Sequence, residues 1–369
     1  YYYQRFDNNM IKVVIILVII GFISSFSLAN ADFQIPFWLE EKIKYWHDGK
    51  LPNSDLDTAL NWLAYKNQIK PTYDLEQKLP SDFKKIVSDW KTQKISNDYF
   101  YQKIYSGLKN GSIKPSSKTK FDFKDYSEIK FSGRSELFRV YAYKKDFIET
   151  RDGLVPIATQ FEKYSNQTEN YKKITNSGKK AVVIRPIFTA SAYYEPGFYT
   201  YFRGQCDEKC LTTTIKYGYP YGYSASANAN KILRLLNYTE ITDIDVDKNP
   251  KILDKYNTVI LLHNEYVTQK EFDAITKHPH VLYLYPNALY GKISTNYDKD
   301  TITLLRGHGF PKNNLRNGFD WKYDNSDFEY DKDCQSWKFV DIPNGRQLNC
   351  YPQNIIYHDY KLLKAIKDY

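Results

Sequence analysis

Residues 256–262 read Tyr-Asn-Thr-Val-Ile-Leu-Leu, residues 268–275 read Thr-Gln-Lys-Glu-Phe-Asp-Ala-Ile, and residues 281–285 read Val-Leu-Tyr-Leu-Tyr. Residues 258–262 in the first and 281–285 in the last are short, largely apolar runs, the pattern of strands buried on both faces. Between them Thr268 offers an N-cap to a helix with Phe272 and Ile275 on its inner face. A strand, a helix and a second strand in that order imply parallel pairing with a crossover, so this part of the chain reads as α/β.

Working upstream, Ala181-Val182-Val183-Ile184 is another buried strand, and Ser224 or Ser226 caps a helix through Ile232, Leu233, Leu235 and Leu236. A further strand is expected over Ile241–Val246. Beyond Gly291 the chain reads as loop-rich until a terminal helix over Leu362–Ile366. Ligands in open sheets of this kind lie beyond the carboxyl ends of the strands. The residues placed there are Arg185, Thr189, Tyr193, Tyr194 and Glu195, then His263, Asn264 and Glu265, then Pro286, Asn287 and Tyr290. Arg306-Gly307-His308-Gly309 adds a histidine between two glycines, a loop in which a side chain can approach a ligand. The candidate ligand-binding set is therefore Tyr193, Tyr194, Glu195, His263, Asn264, Glu265, Asn287, Arg306 and His308.

Residues 118–179 change period. Phe138, Val140 and Ala142 alternate with Leu137, Arg139, Tyr141 and Tyr143, and Val155, Ile157, Thr159 and Phe161 alternate after the Asp152-Gly153 turn signal. A small β-rich bridge follows from this pattern. Before it, residues 35–71 and 79–115 superpose at an offset of 44, with Pro36 on Pro80, Trp46 on Trp90, Asn53 on Asn97, and Ile69-Lys70-Pro71 on Ile113-Lys114-Pro115. This is an internal duplication, each copy a pair of short helices. Gly49 closes the first helix, Asn53 or Ser54 caps the second, and the tryptophans belong to the hairpin cores.

Residues 11–28 are nearly all apolar and run into Ala29-Asn30-Ala31, an A-x-A signal for cleavage after Ala31. Residues 1–31 read as a leader with a signal peptide over 10–31, the alternative being an uncleaved anchor. The layout expected is then 32–117 for the two helical-hairpin repeats, 118–179 for the bridge and 180–369 for the α/β domain. As a class this is α+β multidomain, its last domain carrying a mostly parallel sheet. Export makes Cys206, Cys210, Cys334 and Cys350 disulfide candidates, with local pairing favoured because it staples two loops. The sequons at Asn110, Asn166 and Asn237 imply surface positions and glycan acceptors.

The full chain has 369 residues, 52 Lys+Arg against 43 Asp+Glu, and a net charge of +9. The charges are mixed along the chain, so no nucleic-acid partner is expected. Of its 35 tyrosines, eight fall between Tyr193 and Tyr223: Tyr193, Tyr194, Tyr199, Tyr201, Tyr217, Tyr219, Tyr221 and Tyr223. Flat amphipathic rings suit sugar faces and protein contacts, or simply pack a loop-rich surface.

Two resemblances add to this. Ile35-Pro36-Phe37-Trp38 and Trp46-His47-Asp48-Gly49-Lys50 resemble a repeat in exported proteins of ammonia-oxidising archaea (Thaumarchaeota), in which I-P-x-W begins one helix and W-x-x-G-K/Q ends it. The resemblance covers residues 32–115 and weakens in the second copy, which has Asp82 at the Trp38 position and Gln93 at the Gly49 position. It implies an envelope protein with an attachment or protein-contact module. Residues 256–263, with the helix and strand after them, resemble the class I glutamine amidotransferase-like fold and its ThuA-like and dimethylformamidase-type relatives over roughly residues 180–290. In true amidotransferases the strand after that helix ends in a cysteine elbow. Here that place holds Leu284-Tyr285-Pro286-Asn287, so a cysteine–histidine glutaminase is contradicted.

The reading is an exported cell-envelope protein with a non-catalytic binding or assembly role. Its partners would be envelope proteins or surface glycans, it would meet the membrane only through an uncleaved leader, and no cofactor is implied. The alternative is a hydrolase of an extracellular glycan or amide. That enzyme is either metal-assisted through His263, Glu265 and His308, or an acid/base enzyme using Glu195 or Glu265 with His308.

Overall fold

The computed structural model describes residues 35–150, 153–218 and 222–369. The expected leader lies outside the described residues. No helix among the described residues is long and apolar enough to cross a membrane.

Four helices open the described chain: α1 (Phe37–His47), α2 (Asn53–Lys66), α3 (Phe83–Lys91) and α4 (Asn97–Asn110). At the 44-residue offset α2 and α4 have the same limits, and matched residues make matched contacts. The Trp46 indole donates to Asn53 Oδ1 at 2.9 Å, and the Trp90 indole donates to Asn97 Oδ1 at 2.7 Å. Asn53 is therefore not a cap. It is the first helical residue, and its side chain ties the two helices together. The turn between paired helices needs one left-handed residue, which is Gly49 at φ 72° in the first copy and Gln93 at φ 59° in the second. A Cβ in that region costs roughly 1–2 kcal/mol, partly offset by the unfolded-chain entropy of glycine. Gln93→Gly should therefore stabilise the protein by about 0.5–1 kcal/mol, read as a higher denaturation midpoint at unchanged slope. A lower midpoint would show that the Gln93 side chain supports the turn.

The bridge contains β1 (Glu128–Lys130), β2 (Phe138–Tyr143), β3 (Phe147–Thr150), β4 (Gly153–Pro156), β5 (Gln160–Lys163) and the short helix α5 (Thr168–Ile174). β2 is the centre of an antiparallel sheet β1-β2-β5, and β3 pairs with β4 as a hairpin. The alternation in β2 led to the expectation of a half-buried strand. Instead both faces are covered, Phe138 and Val140 by the carboxy-terminal core, Tyr141 and Tyr143 by the helical core. The run from Val155 to Phe161, read as one strand, breaks at residues 157–159.

The remaining chain folds through β6 (Ala181–Arg185), α6 (Ile187–Ala192), α7 (Phe198–Phe202), β7 (Thr212–Thr214), α8 (Ala227–Leu235), β8 (Thr239–Thr242), α9 (Asp243–Lys248), β9 (Thr258–Leu261), β10 (Tyr266–Thr268) and α10 (Gln269–Lys277). It continues through β11 (Val281–Tyr283), β12 (Gly291–Asn296), β13 (Thr301–Arg306), β14 (Phe339–Ile342), β15 (Gly345–Leu348) and α11 (Tyr360–Asp368). A six-stranded mixed sheet has the order β8-β6-β9-β11-β15-β14, parallel except for the edge strand β14. Alternate residues feed opposite cores, as strand geometry requires. Val183, Ile260 and Leu282 pack with Ile232 of α8 and Leu362 of α11, whereas Val182, Val259 and Val281 pack with Val246 of α9 and Ile275 of α10.

Two expectations are corrected here. The strand expected over Ile241–Val246 stops at Thr242, because Thr242 and Asp245 close a capping box that starts α9. The region beyond Gly291 is not loop-rich. β12 and β13 join β10 and β7 in a second sheet of order β10-β12-β13-β7, and β15 inserts beside β11. β12 and β13 mix Thr, Ser and Lys with scattered apolar residues and β15 has only Leu348, so no long apolar run announces them.

Cys206 and Cys210 form one disulfide and Cys334 and Cys350 the other, with Cα separations of 6.0 and 5.3 Å. Two disulfides fit an extracellular or oxidising environment. Asn110, Asn166 and Asn237 are all exposed.

Candidate functional site

β6 has β8 on one side and β9 on the other, so the strand order reverses between β6 and β9. Crevices at such reversals, beyond the carboxyl ends, are where open α/β sheets hold ligands. The chain leaving β9 there is Leu262-His263-Asn264-Glu265, and its three polar residues are at most 1% exposed.

Neighbouring elements pin this backbone. His263 N donates to Ser226 Oγ at 2.8 Å, Leu289 N donates to Asn264 O at 2.9 Å, and Tyr290 N donates to Glu265 O at 2.9 Å. Ser226, expected as a helix cap, thus supports the site; its hydroxyl does not cap α8. Asn287, just past β11, is held at φ 62°, a left-handed conformation that asparagine tolerates better than most residues.

The side chains converge. His263 Nδ1 lies 2.5 Å from Ser224 O, so Nδ1 carries the proton and Nε2 is the basic nitrogen. Nε2 is 3.9 Å from Glu265 Oε2, beyond a direct hydrogen bond. The Tyr199 hydroxyl donates to Glu265 Oε1 at 3.2 Å and lies 2.7 Å from the Tyr193 hydroxyl, the two rings stacking at 4.1 Å. Tyr193 and Tyr199 are only partly buried and roof the cluster. Four atoms at these strand ends are buried with no hydrogen-bond partner among the described residues: His263 Nε2, Asn264 Nδ2, Glu265 Oε2 and Asn287 Oδ1. Buried polar atoms are normally satisfied, so their concentration in the segments leaving β9 and β11 marks a place that an occupant completes.

Burial sets the protonation states. It pushes the Glu265 carboxyl up to about 8, helped by the Glu329 carboxylate and opposed by hydrogen bonds from Tyr193, Tyr199 and Asn287. It pushes His263 down to about 4, against the pull of the Ser224 carbonyl. Between those values the imidazole is neutral and the carboxyl keeps its proton, an acceptor beside a donor.

The other expected residues divide. His308, at φ 52° between Gly307 and Gly309, lays its ring against Phe202 at 4.2 Å and Tyr199 at 5.4 Å, and burial lowers its pKa. It adjoins the roof. Glu195 is 67% exposed and paired with Arg203, so it is not part of the buried cluster. Arg306 donates to Gly318 O and pairs with Asp320 at the surface. Tyr194 lies under the Lys216 ammonium, and Tyr217 packs on Tyr45 and donates to Asp300. Tyr219, Tyr221 and the side chain of Tyr223 fall outside what the structure describes. The expected His263, Glu265 and His308 metal set does not form: among the described residues, no three His, Cys, Asp or Glu side chains come together to hold an ion.

Two contributors were missed in the sequence. Tyr351 walls the site, its hydroxyl 3.4 Å from His263 Nδ1 and its ring 5.2 Å away. Glu329, partly buried with its pKa raised by burial, bears electrostatically on Glu265 and Tyr199. Glu329 sits in a polar stretch without periodicity, and nothing local marks it.

No protein-family model and no curated protein matches this chain.

Proposed function

We propose that this is an exported cell-envelope protein in which the helical hairpins serve attachment or assembly and the α/β part binds a small polar ligand without transforming it. The observation that carries the reading is the set of four unpartnered polar atoms buried where the strand order reverses. The disulfides and the exposed sequons support export. The amidotransferase-like fold remains the architecture we propose for residues 180–369, with its nucleophile position taken by Leu284-Tyr285-Pro286-Asn287.

A second reading, an acid/base hydrolase, is favoured by one feature: Glu265 and His263 have exchanged their usual protonation order side by side. The test is a thermal-shift screen of small polar compounds and oligosaccharides against the wild type and an Asn264→Ala/Asn287→Ala double variant, with recovered ligand checked by NMR. Binding predicts stabilisation of about 2.7 kcal/mol at a hundredfold excess over Kd in the wild type only, with the ligand returned unchanged. Ligand returned altered, with turnover lost roughly 100-fold or more in Glu265→Gln, would establish the hydrolase instead. Equal stabilisation of wild type and double variant would remove the site.

A further inference from the structure

Resting on the export reading above, we propose that an N-linked glycan on Asn237 lays its first sugars in a cavity where the helical hairpins, the bridge and the α/β part meet, and so joins the three. That cavity measures about 500 Å³. Residues 35–37 at the start of α1, residues 96–98 at the start of α4, β5, and Lys231, Arg234 and Leu235 of α8 line it. Asn237 itself lies in the same wall. A sequon asparagine on a cavity wall supplies the anchor and, with it, the chemistry of the occupant.

Asn237 follows α8 in the left-handed region at φ 63°, where its N–H returns to Arg234 O at 3.0 Å and its carbonyl accepts from Asn176 Nδ2 at 3.4 Å. Those bonds use its main chain alone. The side-chain amide makes no hydrogen bond among the described residues. Asn237 and Thr239 are both exposed, so the acceptor and the hydroxyl of the sequon are open to an oligosaccharide transferase. Transfer joins Nδ2 to C1 of the first sugar. The bond from that carbon to the phosphate of a lipid-phosphate-linked oligosaccharide breaks, the phosphate leaves with the lipid, and Nδ2 gives up a proton.

The lining suits a sugar. Phe37, Tyr141 and Phe161 supply aromatic rings, on which the C–H faces of sugars pack. Lys163 and Lys231 make no ion pair among the described residues, and Lys231, 8% exposed, has one hydrogen bond, to Thr159 O at 2.5 Å, for an ammonium with three donors. Sugar hydroxyls accept from such groups. The acids of the lining are paired or exposed: Glu40 with Arg234, Glu162 with Arg139, and Asp98 in the open. Because the glycan is tethered, each contact is intramolecular, and contacts too weak to hold a free sugar suffice.

The full chain is expressed in an archaeal host that N-glycosylates exported proteins, and again in the periplasm of a bacterial strain that lacks the modification. Peptide mass spectrometry reads each sequon, hydrogen exchange reads the cavity wall, and melting reads stability. Thr239→Ala removes the sequon without touching Asn237, and Thr239→Ser keeps it. Asn110→Gln is the control, since Asn110 ends α4 roughly 20 Å from residues 96–98. We expect a glycan on Asn237 in the archaeal product. Amides of residues 96–98 and of β5 should then exchange roughly tenfold more slowly than in Thr239→Ala, and the melting midpoint should be at least about 2 °C higher. Thr239→Ser should match the wild type, Asn110→Gln should leave exchange at the cavity unchanged, and the bacterial products of wild type and Thr239→Ala should coincide. A glycan on Asn237 that leaves both wall segments exchanging as in Thr239→Ala overturns the inference, and so does a secreted protein bare at Asn237; export stands in either case. Protein retained inside the archaeal cells without any glycan overturns the export reading as well.

Discussion

Replacing Glu41 by alanine should lower the unfolding free energy by about 3–5 kcal/mol, the usual cost of stranding one partner of a buried ion pair. Arg185 ends β6 with its side chain 3% exposed, at the strand-end crevice. Its charge is already taken. Glu41 of α1 pairs with it, the Tyr45 hydroxyl lies 2.8 Å away, Glu240 lies at 3.5 Å, and the Phe37 ring covers it at 5.3 Å. A second, half-buried pair, Glu40 with Arg234, joins the same parts, and Lys50 reaches Asp300 at 2.6 Å in a partly exposed one. The hairpins are thus fastened to the α/β part by three ion pairs, of which Glu41 with Arg185 is the one closed to water. Denaturation of Glu41→Ala, followed by tryptophan fluorescence from Trp46 and Trp90, measures the loss. Glu41→Met with Arg185→Met should recover part of it, because the buried pair is then gone and Glu240, which also loses Arg185, is partly exposed. A loss below about 1 kcal/mol in the single variant would show that water reaches Arg185 and that the pair behaves as a surface one.

That fastening also marks what a sequence conveys. The repeat was legible because duplication copies contacts as well as letters: Trp46 with Asn53 and Trp90 with Asn97 make one bond twice. The strands β6, β9 and β11 were legible because burial on both faces leaves only apolar letters. The strands after Gly291 were not, since half-exposed strands that mix threonine, serine and lysine with scattered isoleucines and leucines show no long apolar run. At the site, His263, Asn264, Glu265 and Asn287 were found because strand ends can be counted from strands. Glu195 was included on the same rule and Arg306 on the glycine loop around His308, and the structure turns both to the surface, where Arg203 and Asp320 hold them. The partners Tyr351 and Glu329 come from more than sixty residues away, and only the fold brings them in. Glu41 on Arg185 was invisible for the same reason: a charge on an amphipathic helix reads as solvent-facing until a second domain buries it.

Glu265→Gln should stabilise the protein by about 3–5 kcal/mol at pH 8 and leave it unchanged at pH 4. The unfolded carboxyl titrates near 4.5, whereas burial first, and then Glu329, hold the folded one near 8. Below 4.5 both states carry the proton and the group contributes nothing. Between 4.5 and 8 only the folded state carries it, so stability falls by about 1.4 kcal/mol per pH unit, and above 8 the loss is complete. His263 opposes this over part of the range. Its folded value near 4 lies below the ordinary 6.5, so its contribution rises with pH between those values. The two slopes offset each other from about pH 4.5 to 6.5, so the decline due to Glu265 stands unopposed by His263 only above that. Asp243 and Glu271, also raised by burial, add a decline that the variant retains. The difference between variant and wild type therefore isolates Glu265, and denaturation at pH 4, 6 and 8 reads it directly. Curves that stay parallel across that range would mean that Glu265 ionises in the folded protein as it does in water. A site that spends several kcal/mol to keep an acid protonated beside a neutral imidazole is destabilised for something it binds, and a ligand that accepts a hydrogen bond from the protonated carboxyl should raise the whole curve and carry the decline due to Glu265 to higher pH.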